Sequence, residues 1–323
     1  MTKNSYLFIL FLILFSLFSI ISSLFIGSSS IPFSDIFDVL TGHGSELHQT
    51  LIFELRLPRA LIAFATGAML SIAGVLMQVL LRNPLADPYV LGVSGGASLA
   101  ALVAMLLGFE SAMITSSAFV GALVSIFAVF VLAKGKGHWN INRLLLTGVV
   151  LAAGWVALIS FVLVISPPDK VSGMLFWLMG DLSYDRPLGP GLIILTIGFV
   201  FTLPLTQQMN VMIWGDKQAC SLGVNVKQLH LKIFFLASLL TAGAVSLAGG
   251  IGFIGLVVPH FVRLIIGNDH RILVPSSALT GAILLIWADM LARTAMAPMQ
   301  IPVGILTALL GVPLFLYLLR RSQ

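Results

Sequence analysis

Two places in this sequence carry groups whose type and spacing could do chemistry. Asp289 and Arg293 stand four residues apart in "LLIWADMLAR". A carboxylate at the centre of an apolar helix costs about 2.5–3.5 kcal/mol on insertion scales, and an arginine four residues on shares its helix face. The pair reads either as a proton-carrying site of a secondary transporter or as a structural ion pair. Its place near the end of an apolar run favours the pair. "GVSGG", residues 92–96, contains Gly-x-Ser-Gly, the nucleophile motif of intramembrane serine proteases. Ser94 would need a base there, and the histidine nearest a crossing, His260, follows Pro259 toward the other side. The protease is therefore the weaker reading. The histidines at 43, 48, 138, 230, 260 and 270 form no His-x-x-x-His and stand near no carboxylate cluster, so no metal site is expected. There is no Gly-x-x-x-x-Gly-Lys-Ser/Thr loop. If the chain takes part in active transport, the energy comes from another subunit.

The elements that would position these groups follow from composition. The 323 residues are 59% hydrophobic and 9% charged, with a mean hydropathy of +1.08. A soluble domain carries about 25% charged residues, so the solvent for most of this chain is lipid. Apolar segments fall at 6–26, 57–81, 90–107, 112–133, 144–165, 190–206, 232–250, 252–266, 272–296 and 302–319. A crossing needs roughly 20 apolar residues, and such runs point to an all-α bundle rather than a barrel. The pattern predicts one polytopic transmembrane domain over residues 1–323. The run at 6–26 exceeds a secretory h-region of about 7–15 residues and is expected to be retained. Cys220 is the single cysteine, which leaves no internal disulfide framework.

The net charge of +5 comes from basic residues scattered between apolar runs, so nucleic acid is not an expected partner. With about ten crossings, both termini share a side. Lys3, Arg82, Lys134, Lys136, Arg143, Lys217, Lys227, Lys232, Arg263, Arg271, Arg320 and Arg321 then face one way. Arg56, Arg59, Lys170, Arg186 and Arg293 face the other, twelve against five of the 17 basic residues. That bias places the termini in the cytoplasm. Arg56 and Arg59, around Pro58, run against it; they read as snorkelling side chains or as a docking surface for an acidic partner. Stripes of small residues (Ala63, Gly67, Ser71; Gly92, Gly96, Ala100, Ala104; Ala244, Ala248, Gly252) predict close helix approach.

One polar island, "WGDKQACSLGVNVKQLHLK" (214–232), interrupts the apolar runs on the cytoplasmic side. Asp216 is expected to cap a short helix over 217–222 with Ala219 and Leu222 on one flank. Gly223 breaks it, and Asn225 caps a second short piece. Such a knob suits a groove on a cytoplasmic partner.

The longer motifs resemble one family. "RLPRALIAFATGAMLSIAGVLMQVLLRNPLADPYVLGVSGGAS" (56–98), "GGIGFIGLVVPHFVRLIIGNDHRILVP" (249–275), "ADMLAR" (288–293) and "IPVGILTALLGVPLFLYLL" (301–319) resemble, in order, the FecCD permeases of type II ABC importers. The resemblance implies a multi-pass permease of the bacterial inner (plasma) membrane, with ten transmembrane helices and no enzymatic activity of its own. It would import a ferric siderophore, haem or vitamin B12 by alternating access. The expected partners are a second permease copy with the pathway between the two, two copies of an ATP-binding subunit that carry ATP and Mg, and a periplasmic or lipoprotein substrate-binding protein. No cofactor would sit on this chain. The resemblance further implies that coupling helices at about 214–229 use Gly215, Asp216, Ala219, Leu222, Gly223 and Val224. Arg56, Arg59 and Arg293 would receive carboxylates of the binding protein, and Ser94, Gly95, Gly96 and Ser98 would line the route. No residue in these motifs separates the cargoes; an iron chelate is the leading expectation, with vitamin B12 next.

Overall fold

The computed structural model describes residues 3–27, 39, 45–133, 141–182 and 186–321. Lys134, Lys136, His43 and His138 lie outside the described residues. Among those described there is no β-strand. Every apolar segment holds a helix: α1 (Lys3–Phe25), α2 (Leu57–Leu80), α3 (Val93–Leu106), α4 (Ser111–Ala133) and α5 (Ile141–Ile165) come first. After a short α6 (Pro168–Leu178) follow α7 (Leu188–Thr202), α8 (Thr206–Met212), α9 (Asp216–Ser221), α10 (Val226–Ala248), α11 (Ile254–Ile266), α12 (His270–Thr294) and α13 (Val303–Arg321). Seven helical stretches among these residues are long and apolar enough to cross a membrane, and α3, α11 and the apolar part of α13 are shorter.

The axis of the bundle is α2. Every residue from Ala65 to Gln78 is buried, as a helix apolar on all sides must be. A helical turn, Glu46–Gln49, and a π-helical stretch, Thr50–Arg56, extend it backward. The wider winding lies just ahead of Pro58, whose ring would clash with the carbonyl four residues back in an α-helix. Small residues let the neighbours of α2 touch its backbone. A Cβ on Gly67 would run into the carbonyl of Gly281 in α12, and one on Gly74 into that of Gly255 in α11.

The short helices α3 and α11 have a physical reason. At about 1.5 Å per residue, 13 or 14 residues span roughly 20 Å, less than the ~30 Å of hydrocarbon. The chain supplies the remaining depth with irregular backbone. Residues 83–92 climb into the bundle until Gly92 meets Gly148 and Ala152, two turns into α5. Asp87 caps the 3-10 turn Pro88–Leu91 by accepting from the Tyr89 N–H at 2.7 Å. The Tyr89 hydroxyl donates to the Ile251 carbonyl at 3.0 Å and accepts from the Ile251 N–H at 3.2 Å. Pro88 lies against Gly255. Each break is thus packed on the other, which lets bare backbone sit away from lipid.

Gly74→Ala is expected to push α11 off α2 and cost roughly 1–3 kcal/mol. Gly154→Ala, which meets no atom within 4 Å, should be silent. Thermal unfolding of the purified chain in detergent checks this; equal midpoints for the two variants would contradict the packing account.

Candidate functional site

Charged and polar side chains gather at both ends of α2. At its start Arg59 reaches across to α12, where Asp289 is buried with 1% of its side chain exposed. Arg59 Nε donates to Asp289 Oδ1 at 2.9 Å, and Nη2 forms an ion pair with the same oxygen at 2.9 Å. Arg293, one turn on in the same helix, forms an ion pair with Asp289 Oδ2 at 3.0 Å and donates from Nε to the Asp289 backbone carbonyl at 3.4 Å. Arg59 Nη1 donates to Gln300 Oε1 at 3.1 Å. One carboxylate therefore clamps two arginines on two helices, so Asp289 works as a clasp and has both oxygens engaged. Arg293 Nη2 is buried and meets no acceptor among the described residues.

Arg56 lies close by but is differently held. It is buried, and its Nη1 donates to the carbonyls of Leu24 at 2.6 Å and Phe25 at 3.2 Å, tying the end of α1 to the π-helical stretch. The charge on Arg293 reaches both Arg56 and Arg59. These four side chains, three guanidiniums and one carboxylate, sum to +2. The sequence pairs Asp289 with Arg293 by helical spacing; it gives no sign of Arg59 on the same carboxylate, nor of Gln300.

At the far end of α2 stands the polar island. The helix forms, but three local expectations are corrected. Asp216 does not cap α9: it is its first residue, preceded by Gly215 at φ +102°, a value that favours glycine. The carboxylate instead forms an ion pair with Arg82, at the end of α2, and lies 3.9 Å from His230 Nε2. Ala219 and Leu222 do not share a flank either. Ala219 is wholly buried, whereas Leu222, just past the last helical turn, is 68% exposed. Gly223 at φ +84° reverses the chain. Asn225 does cap the second helical piece, accepting from the Gln228 N–H at 3.1 Å. That piece is the first turn of the 23-residue α10 rather than a helix of its own. The exposed surface of the knob joins the apolar Ile213, Trp214 and Leu222 to Lys217, Gln218, Cys220 and Ser221.

The residues of the Gly-x-Ser-Gly stretch serve packing in this structure. A Cβ on Gly95 would meet Trp155, and one on Gly96 would meet the Gly121 carbonyl and Ser125. Ser125 Oγ donates to the Gly92 carbonyl at 2.8 Å and accepts from Trp155 Nε1 at 2.9 Å. Ser98 is buried and Ser94 half-buried. Among the described residues no group of three or more His, Cys, Asp or Glu side chains could hold a metal ion.

The FecCD transport family model matches residues 12–321. The cobalamin import permease BtuC of Halobacterium salinarum is 42% identical over 86% of this chain and 75% of its own length. The hemin transport permease HmuU of Yersinia pestis is 38% identical over 97% and 95%. The Fe(3+) dicitrate permease FecD of Escherichia coli is 40% identical over 93% and 94%. A solved structure described as a metal-chelate type ABC transporter in an inward-facing conformation superposes with a TM-score of 0.86 at 30% identity, covering 97% of this chain and 98% of that one.

Asp289→Asn should leave the buried Arg293 and the half-buried Arg59 without a counter-charge and cost about 3–5 kcal/mol. Arg59→Gln should cost less, because Arg293 still balances the carboxylate. Thermal melts of the purified variants decide; an Asp289→Asn chain as stable as its parent would remove the clasp.

Proposed function

The chain belongs to the FecCD transport family, and from that membership we propose that it is the permease subunit of an ATP-driven importer whose cargo is a metal chelate. The observation that carries the reading is one helix, α2, with a basic cluster at one end and an exposed knob at the other. Three relatives with different cargo names share one chemistry, a metal held in a bulky organic ligand. An iron chelate is the leading cargo, and cobalamin the next.

In this reading the ten apolar helices cross the inner membrane with both termini in the cytoplasm, as the charge bias favours. The knob at 214–224 then projects into the cytoplasm. Trp214 and Leu222 offer an apolar tip to a groove on an ATP-binding subunit, which holds the ATP and Mg. The cluster at Arg59 faces outward, where its positive excess favours the carboxylates of a binding protein. Arg59, with 13% of its side chain exposed, is the arginine best placed to meet one. Arg56 and Arg293, both buried, would support it from behind, and a carboxylate arriving there would satisfy the spare Arg293 donor. A second permease copy would cover the open face of α5, where Val150, Ala153, Gly154 and Ala157 are exposed. Ser94, at the mouth of α3, is kept as a residue of the route. Closure of the two ATP-binding subunits would then rock the bundles between outward- and inward-open states.

The test is uptake of labelled ferric siderophore, haemin and cobalamin by cells deleted for this gene and complemented with the parent or with Arg59→Gln. The parent should restore uptake of one chelate class. Arg59→Gln should reduce it about tenfold, on the order expected for one charged hydrogen bond at an interface, while the chain reaches the membrane at its normal level. No change in any chelate on deletion would overturn the cargo, and full uptake by Arg59→Gln would overturn the docking role.

A further inference from the structure

Polar contacts tie the α8–α9 hairpin that ends in the knob to α2 and to α12. Asp216 pairs with Arg82, at the end of α2. Asn210 in α8 spends its whole amide on the start of α12. Asn210 Nδ2 donates to Asp269 Oδ1 at 2.7 Å; its Oδ1 accepts from the His270 N–H at 2.8 Å and from His270 Nδ1 at 2.7 Å. Asp269 also caps α12 through the Arg271 N–H at 3.0 Å. Burial works against its charge, but the bonds from Asn210 and Arg271 outweigh it and hold the carboxyl below the usual carboxylate range. The Asn210 bond is therefore a charge-assisted one.

Between the two attachments lies a cavity of about 340 Å³, lined by Gln78, Arg82, Met209, Met212, Arg263 and His270. The hairpin buries Met209, Met212 and Ala219 in the core; beside this cavity, where the packing opens, the polar contacts fix its orientation on the bundle. The helices that hold it, α2 and α12, are the two that Asp289 clasps at their other ends, and they touch backbone to backbone at Gly67 and Gly281 between.

We propose that Asn210, with Asp269 and His270, is a latch through which displacement of the α2–α12 pair reaches the knob, so that it sets how much uptake each ATP yields. The proposal rests on the reading of the knob as the handle of an ATP-hydrolysing subunit. Asn210 is a positioning residue: it sits behind the knob surface and acts through α8.

The test compares the parent, Asn210→Asp, and the double variant Asn210→Asp/Asp269→Asn, each purified with the ATP-binding subunit and reconstituted with the binding protein. Asn210→Asp keeps the acceptor for His270 but sets carboxylate against carboxylate. The double variant restores the bond with donor and acceptor exchanged; because one Asp269 oxygen serves both Asn210 and the Arg271 N–H, it does so by giving up the α12 cap. Asn210→Asp should co-purify with the ATP-binding subunit and keep basal hydrolysis within about twofold, while chelate imported per ATP falls about tenfold, one lost charged hydrogen bond's worth. The double variant should recover most of it. Amide exchange over residues 216–224 should quicken in the single variant and return in the double.

Unchanged transport per ATP in Asn210→Asp would overturn the latch. Loss of the ATP-binding subunit from that variant would overturn it too, since Asn210 would then be shaping the interface. Leu222→Glu, at the exposed tip, separates the two readings: it should abolish co-purification. If it does not, the knob is not the handle, and the latch's role falls with it.

Discussion

The rest of the structure depends on the backbone contact between α2 and α12. In lipid there is no hydrophobic gain from pressing one apolar helix on another, so association depends on how closely backbones approach. Gly67 and Gly281 allow contact at the level of the main chain, with Ser71 beside Gly281. Once the two helices touch there, their ends are placed together as well. Arg59 comes within 2.9 Å of Asp289 across 230 residues of sequence. At the opposite ends, Arg82 and Asp269 each hold part of the same hairpin. The ion cluster and the knob are thus two ends of one strut.

Much of this was legible in the residues. The ten apolar segments mark the helices because length and hydropathy in lipid leave few alternatives. The stripe Ala63, Gly67, Ser71 marks the packing face of α2, and Asn225 marks the start of α10 as a residue that caps by its own side chain. The features that stayed hidden depend on partners distant in sequence. Asp216 looks like a cap because capping is local, yet its carboxylate is drawn off by Arg82. Arg56 and Arg59 look alike around Pro58, yet the π-helical winding ahead of the proline leaves one buried on α1 and the other on Asp289. Asn210 carries no signal, since nothing around it hints at residues 269 and 270. The polar stretch at 168–178 conceals a helix because Asp169 and Lys170 stand in its first turn, while Met174 and Trp177 are buried.

The signature motifs gain a structural meaning. "NPLADPYVLG" and "GGIGFIG" are the two breaks that shorten α3 and α11, and they meet through Tyr89, Ile251, Pro88 and Gly255. Discontinuous helices buried against one another give a membrane bundle places where it can bend without exposing backbone to lipid. A rigid strut beside such joints suits a protein that alternates between two packings, and membership of the FecCD family agrees with that use.

The central claim is that the chain moves its cargo with energy delivered from outside it, through the knob. The most direct measurement is chelate uptake into proteoliposomes holding this chain with an ATP-binding subunit and supplied with the binding protein on the opposite side, with ATP supplied only on the knob side and a protonophore present. The account predicts uptake that requires ATP and is indifferent to the protonophore. Uptake that proceeds without ATP and collapses with the proton gradient would contradict it, and would return Asp289 to the role of a proton carrier.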